Sequence, residues 1–219
     1  MNTVKIAARG KPPTKRAYHH GDLRQALIAA AEQLVVERGV EGFTLREAAR
    51  RAGVSPAAPA HHFKDMRGLL TEVALLGFRD FAVALEAADR RGGANPEHRL
   101  REQGAAYVEF ALQYPARFLL MFRHDKHDKD NAEFVATARR AYRVLEDAVR
   151  AAAGTPPDAE LGPEGQGLLL AMWSIVHGFA HLALGGELGI APETHRGKTQ
   201  ILESLLPAML QYLPRPLPR

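Results

Sequence analysis

Residues 43–63, FTLREAARRAGVSPAAPAHHF, constrain the fold more than any other stretch of the chain. Two short helical patterns flank Gly53-Val54-Ser55. Thr44 is a favourable N-cap, and Glu47 three residues later completes a capping box. Leu45, Ala48, Ala49 and Ala52 then give this helix a small apolar face. Ser55 is placed to cap the next helix, with Pro56 at its first position, where a missing N–H costs little. Ala49 and Gly53 are small enough to let the two helices cross steeply through a tight turn, which is helix-turn-helix geometry. In that geometry the second helix can lie in a major groove while the first crosses the nucleic-acid backbone.

Helical periodicity continues on both sides. Asp22 is placed to cap a first helix carrying Leu23, Ala26, Leu27, Ala30, Ala31, Leu34 and Val35, and Gly39 ends it. From Arg67 the helices lengthen: a fourth with Leu69, Leu70, Val73, Leu76, Phe81 and Leu85, ending at Gly92-Gly93, and a fifth over about 96–114. Pro115 begins a short sixth, the seventh covers about 130–153, and the eighth about 164–185. The ninth, about 193–212, contains Pro207, which should bend it. No segment alternates with a period of two, so the chain is expected to be all-α with about nine helices. Leu168–Leu184 is the most apolar stretch. It is interrupted by Ser174, His177 and His181 and is read as a buried helix rather than a membrane span. No secretory signal is evident, and a cytoplasmic protein without a membrane partner is expected.

Charge divides the chain. Residues 1–70 hold 12 Lys/Arg against 6 Asp/Glu, while the remainder holds 17 against 19. A basic head on a near-neutral body suits a polyanionic partner. The head begins with a basic arm, residues 1–21. The absence of cysteine excludes disulfides and thiolate chemistry. No Ser/His/Asp constellation, glycine-rich phosphate loop or dinucleotide fingerprint stands out, so neither enzymatic activity nor a cofactor is expected.

The run GxxxxTLREAARRAGVSPxxxxxHFKDxxGLL resembles the DNA-binding domain of TetR/AcrR transcriptional regulators over about residues 22–70. The resemblance implies a three-helix DNA-binding domain at 22–66 and a helical regulatory and dimerisation domain at 67–219. It implies a repressor that binds a palindromic double-stranded operator and releases it on meeting a small-molecule effector. Carried over by position, Thr44 and Arg46 would touch DNA, and Pro56, Ala57, Ala58 and His61 would face the major groove. His62 and Lys64 would contact phosphates. The chain departs from the family where Pro59 replaces a large aliphatic residue, Ala60 a tyrosine and Met66 a lysine. Proline at the fourth position should make the third helix irregular or late to start. The arm residues Lys11, Lys15 and Arg16 are candidates to restore backbone contacts.

One helix-turn-helix reads few bases, so a two-fold dimer is expected. The eighth helix is apolar almost all round and the ninth has an apolar stripe, which suits a dimer interface built from both. The Trp173…His177-Gly178 spacing is similar to a TetR subfamily with a Trp-His-Gly signature. Tyr107, Phe110, Phe118, Met121, Phe122, Tyr142, Met172 and Trp173 lie on the helices that surround the family's effector cavity, with His177 and His181 as polar handles. Aromatic walls favour an apolar or aromatic effector. The rival readings are a metal-sensing repressor and a helical metal-dependent hydrolase. They rest on His124-Asp125, His127-Asp128 and the His177/His181 spacing; HDKHDKD reads more simply as a solvated loop.

Overall fold

The computed structural model describes residues 20–214, with no strand among them. The basic arm, with Lys11, Lys15 and Arg16, lies outside the described residues apart from its last two positions. Those two belong to the first helix, α1 (His20–Arg38), which begins ahead of the expected Asp22 cap. Gly39 ends it with φ 76°, as a C′ glycine should.

Helix α2 (Leu45–Arg51) carries the expected capping box: Glu47 N–H meets the Thr44 hydroxyl, and the Glu47 carboxylate accepts from the Thr44 N–H at 2.9 Å. Gly53 makes the turn with φ 70°. Helix α3 (Ala58–Phe63) starts late. Ser55 and Pro56 form a turn ahead of it, closed by Ala58 N–H to the Ser55 carbonyl at 3.0 Å. That start places Pro59 in the first turn, where its missing N–H has no intrahelical partner to lose.

Helix α4 (Met66–Gly92) is the spine. It packs against α5 (Pro96–Gln113), α6 (Pro115–Met121) and α7 (Ala132–Ala152), and its first turns meet α1 and α3. One continuous apolar core runs from Leu27 and Leu34 in α1 through Leu69, Phe78 and Phe118 to Val149 and Val176. Gly77 on α4 lets α6 come close, since a Cβ there would lie 2.8 Å from the Met121 sulfur.

Helix α8 (Pro163–Leu184) buries one face in the core of its own chain. Its length and composition would also suit a membrane span, as those of many core helices do, and 28% of its most apolar stretch is buried within the chain. Leu169, Met172, Val176 and Ala180 face the core, while Leu170 and Leu182 stay exposed. A single chain covers one side of this helix and leaves the other open. The expected ninth helix is a run of α9 (His195–Gln200), a π turn (Ile201–Leu205) and α10 (Leu206–Leu210). The change of register falls just ahead of Pro207, which supplies no N–H.

Candidate functional site

Two places in the fold gather functional side chains. The first is the outer face of α2 and α3. Thr44, Arg46, Arg50, Ser55, Pro56, Ala57, Ala60, His61 and Lys64 are all exposed there, whereas Ala48, Ala49, Pro59 and Phe63 point inward. Ala58 and His62 are half-buried. The His62 ring lies beside Phe63 at 6.0 Å between centroids. Thr44 is tied into the capping box, its hydroxyl 3.1 Å from the Glu47 carboxylate.

The cations of this head fall into two groups. Arg24 pairs with Glu72, Arg38 with Glu47 and Arg51 bidentately with Glu37 at 2.6 Å. Hydrogen bonds from the Thr44 backbone and from Arg38 hold the Glu47 carboxyl below its usual range, and Arg51 does the same for Glu37. Arg46, Arg50 and Lys64 form no ion pair among the described residues. The neutralised arginines bind the head together, and the three remaining cations share its outer face. Arg50 was not among the sequence candidates; its signal was its position one turn beyond Arg46.

Lys64 has φ 67° and ψ −58°, the sole positive φ among the described non-glycine residues. Asp65 N–H closes a three-residue turn on the Phe63 carbonyl at 2.7 Å. Asp65 then caps α4 by accepting from Gly68 N–H at 2.9 Å.

The second place is a cavity of about 370 Å3 enclosed by α4, α5, α7 and α8. Of the sequence candidates, Tyr107, Phe122, Tyr142, Met172 and Trp173 line it. Phe110, Phe118 and Met121 are packed in the core instead, and His177 and His181 are also off its wall. His177 acts on the wall indirectly: its Nδ1 lies 2.7 Å from the Tyr107 hydroxyl, which also accepts from Trp173 Nε1 at 3.4 Å. Burial and the neighbouring His181 lower the His177 pKa, and burial raises that of Tyr107. The wall residues missed from sequence are chiefly Phe78, Phe81 and Leu85 of α4 and Phe134, Ala138 and Arg139 of α7. Their helical spacing is the same for a cavity wall as for solid core.

The charged segment between α6 and α7 joins the two places. Phe122 and His124 line the cavity. Arg67, at the head end of α4, donates to the carbonyls of His127 at 2.9 Å and Asp125 at 3.2 Å. Glu41, between α1 and α2, pairs with Lys126 at 2.7 Å and Arg123 at 3.3 Å. A further bridge runs from Arg117 on α6 to Glu32 on α1. The segment is only partly the solvated loop expected, because His127 is fully buried against Phe134, with ring centroids 4.4 Å apart. The metal readings find no ligand set: among the described residues no three His, Asp or Glu side chains gather around a common point.

Residues 27–73 match the family described as bacterial regulatory proteins, tetR family. Residues 100–206 match the tetracyclin repressor-like C-terminal domain. A curated relative, the HTH-type transcriptional repressor BepR of Brucella suis biovar 1 (strain 1330), is 36% identical over 89 residues. That match covers 40% of this chain and 42% of BepR, so the chain spans less than half of that relative's length. Among solved structures, a protein of unknown function from Rhodococcus sp. RHA1 is 31% identical, with a TM-score of 0.67 over 91% of this chain and 99% of that one. The TetR family transcriptional regulator PfmR of Thermus thermophilus shares the fold at 20% identity, with a TM-score of 0.60 over 88% of this chain and 99% of its own.

Proposed function

Because the chain belongs to the tetR family of bacterial regulatory proteins, we propose that it is a sequence-specific DNA-binding repressor, released from a palindromic operator by a small-molecule effector. The observation that carries this reading is the outer face of α2 and α3. Arg46, Arg50 and Lys64 stand there without an ion-pair partner among the described residues, around a short helix next to Pro56 and Ala57 and presenting His61.

In this reading residues 22–66 form the DNA-binding head, 67–219 the regulatory body, and the basic arm with Lys15 and Arg16 follows the DNA backbone. Arg46 and His61 supply polar readout, Ala57 and Ala58 meet thymine methyls, and His62, Lys64 and Arg50 hold phosphates. Thr44 positions Arg46 through its cap and offers a further backbone contact. DNA binding places the protein in the cytoplasm. The open side of α8, together with α9 and α10, meets a second copy and sets the spacing of the two heads. The effector occupies the apolar cavity. It acts through Phe122 and His124, whose segment is fastened to the head by Arg67 and Glu41. An effector shifts the equilibrium only if it prefers the form whose heads are wrongly spaced.

Selection of genomic DNA fragments with the purified protein, followed by footprinting at two salt concentrations, tests the proposal. A protected palindrome is expected, lost on Arg46→Ala. Salt-dependent binding with no preferred sequence would overturn it.

A further inference from the structure

Resting on the reading of the cavity as the effector site, the geometry points to an effector that is an apolar or aromatic monoanion, with its body inside and a carboxylate at the rim on Arg139.

The cavity has a polarity gradient. Its depth is closed by buried apolar side chains, among them Phe78, Phe81, Leu100, Phe134 and Met172. The donors at depth are already engaged, and the one buried polar atom without a partner among the described residues, Gln103 Oε1, is an acceptor that repels an anion. The Gln103 amide nitrogen donates to Asp89 at 2.7 Å and to the Val144 carbonyl at 3.2 Å, and the Tyr107 hydroxyl is held by His177 and Trp173. Nothing there is left to receive an anion. The exposed wall residues are Val135, His124 and Arg139. An amphiphile therefore enters apolar end first and leaves its head among the last two.

The sign of that head follows from the wall. No Asp or Glu lines the cavity, and Arg139 is a fixed positive charge. A cation would lose its hydration beside a guanidinium whose counter-charge, Glu146, lies off the cavity wall. A carboxylate would meet a planar fork suited to it, with His124 able to add an N–H donor. Arg139 is aimed by stacking over the Tyr142 ring at 5.3 Å, and Tyr142 is itself a wall residue. Its present ion pair with Glu146, at 3.2 Å, does not forbid the exchange. Glu146 is also held by Arg150 at 3.3 Å, so a ligand that draws Arg139 away leaves no stranded carboxylate.

A matched series of probes tests the inference: phenylbutyrate, phenylbutanol and phenylbutyltrimethylammonium, titrated calorimetrically into the full-length protein and into Arg139→Gln. Phenylbutyrate is expected to bind about tenfold or more tightly than the alcohol, as a charge-assisted pair at a partly exposed rim provides. The ammonium compound is expected to bind most weakly. Arg139→Gln should reduce phenylbutyrate to the affinity of the alcohol while leaving the alcohol's own affinity unchanged, which also shows that the variant is folded. Equal binding of all three, or a preference for the cation, would overturn the anionic class while leaving the cavity as the effector site. Failure of all three to bind the unaltered protein would overturn the effector site itself, and this inference with it.

Discussion

At the scale of single residues, Lys64 joins backbone geometry to the proposed DNA contact. A lysine with φ 67° and ψ −58° is strained, by about 1–3 kcal/mol for such outliers. Glycine adopts that geometry freely. Lys64→Gly is therefore expected to stabilise the fold by about 1 kcal/mol in urea denaturation. The same change should weaken operator binding and reduce the slope of log affinity against log salt by about 1. A stabilised variant with an unchanged slope would remove Lys64 from the phosphate contacts. The capping box at Thr44 and Glu47 was legible in the sequence because both partners belong to one local pattern. The Lys64 strain was not, because it arises where Phe63 and Asp65 are pinned by different neighbours. His127 was equally hidden, a histidine within a charged run that ends fully buried, with no hydrogen bond of full geometry to either ring nitrogen among the described residues. Burial, and then His124, lower its pKa, while the Met121 backbone pulls the other way. The unfolded chain thus takes up a proton near pH 6.5 that the folded one resists. Stability from this group is present above that pH and is lost as pH falls below it. His127→Leu should flatten that acid-side loss and gain about 1 kcal/mol at neutral pH, by removing a buried imidazole whose polar atoms are poorly satisfied. Denaturation curves across the pH range check this; an unchanged slope would assign the loss to other groups, His177 included.

At the scale of elements, the position of α3 depends on how closely α4 approaches its end. A Cβ added to Gly68 would lie 1.9 Å from the Phe63 carbonyl oxygen, a backbone atom that cannot rotate away. Gly68 N–H is also the donor to the Asp65 cap. Gly68→Ala is expected to cost about 1–3 kcal/mol of stability, as overpacking does. Because the strain falls between α3 and α4, operator affinity should drop further than the stability loss explains. Equal affinity for the folded fraction would show that α3 is positioned by Phe63 and Pro59 alone. The helices themselves were legible, down to the late start of α3, because proline acts locally. The cavity was legible only in part. Tyr107, Tyr142 and Trp173 stood out as aromatic residues on the expected helices, yet Phe78 and Phe81 line the space and Phe118 does not. A cavity is where packing atoms are missing, and a periodic apolar pattern is the same on either side of that boundary.

At the scale of the whole molecule, the question is what covers the outer side of α8. Gly178 gives the sharpest handle. It is a glycine within the helix, yet beyond the helix's own backbone nothing among the described residues lies within 4 Å of where its Cβ would be. A glycine inside a helix costs about 0.5–1 kcal/mol relative to alanine. Neither a turn nor a neighbour among the described residues accounts for it. A second copy crossing closely at this point would. Two observations fit that explanation: the exposure of Leu170 and Leu182 on the same helix, and a single head too small to read an operator alone. The two-fold arrangement doubles any effect, since both copies carry the change. Gly178→Ala should therefore leave the isolated fold as stable or more so, while weakening self-association in sedimentation equilibrium by about 1–3 kcal/mol per dimer. Leu182→Arg should dissociate the dimer outright and abolish binding to a full palindrome while leaving weak half-site binding. If Gly178→Ala instead tightened the dimer, the two α8 helices would not cross at that glycine. If Leu182→Arg left a dimer, the interface would lie on α9 and α10, and the open face of α8 would belong to a different partner.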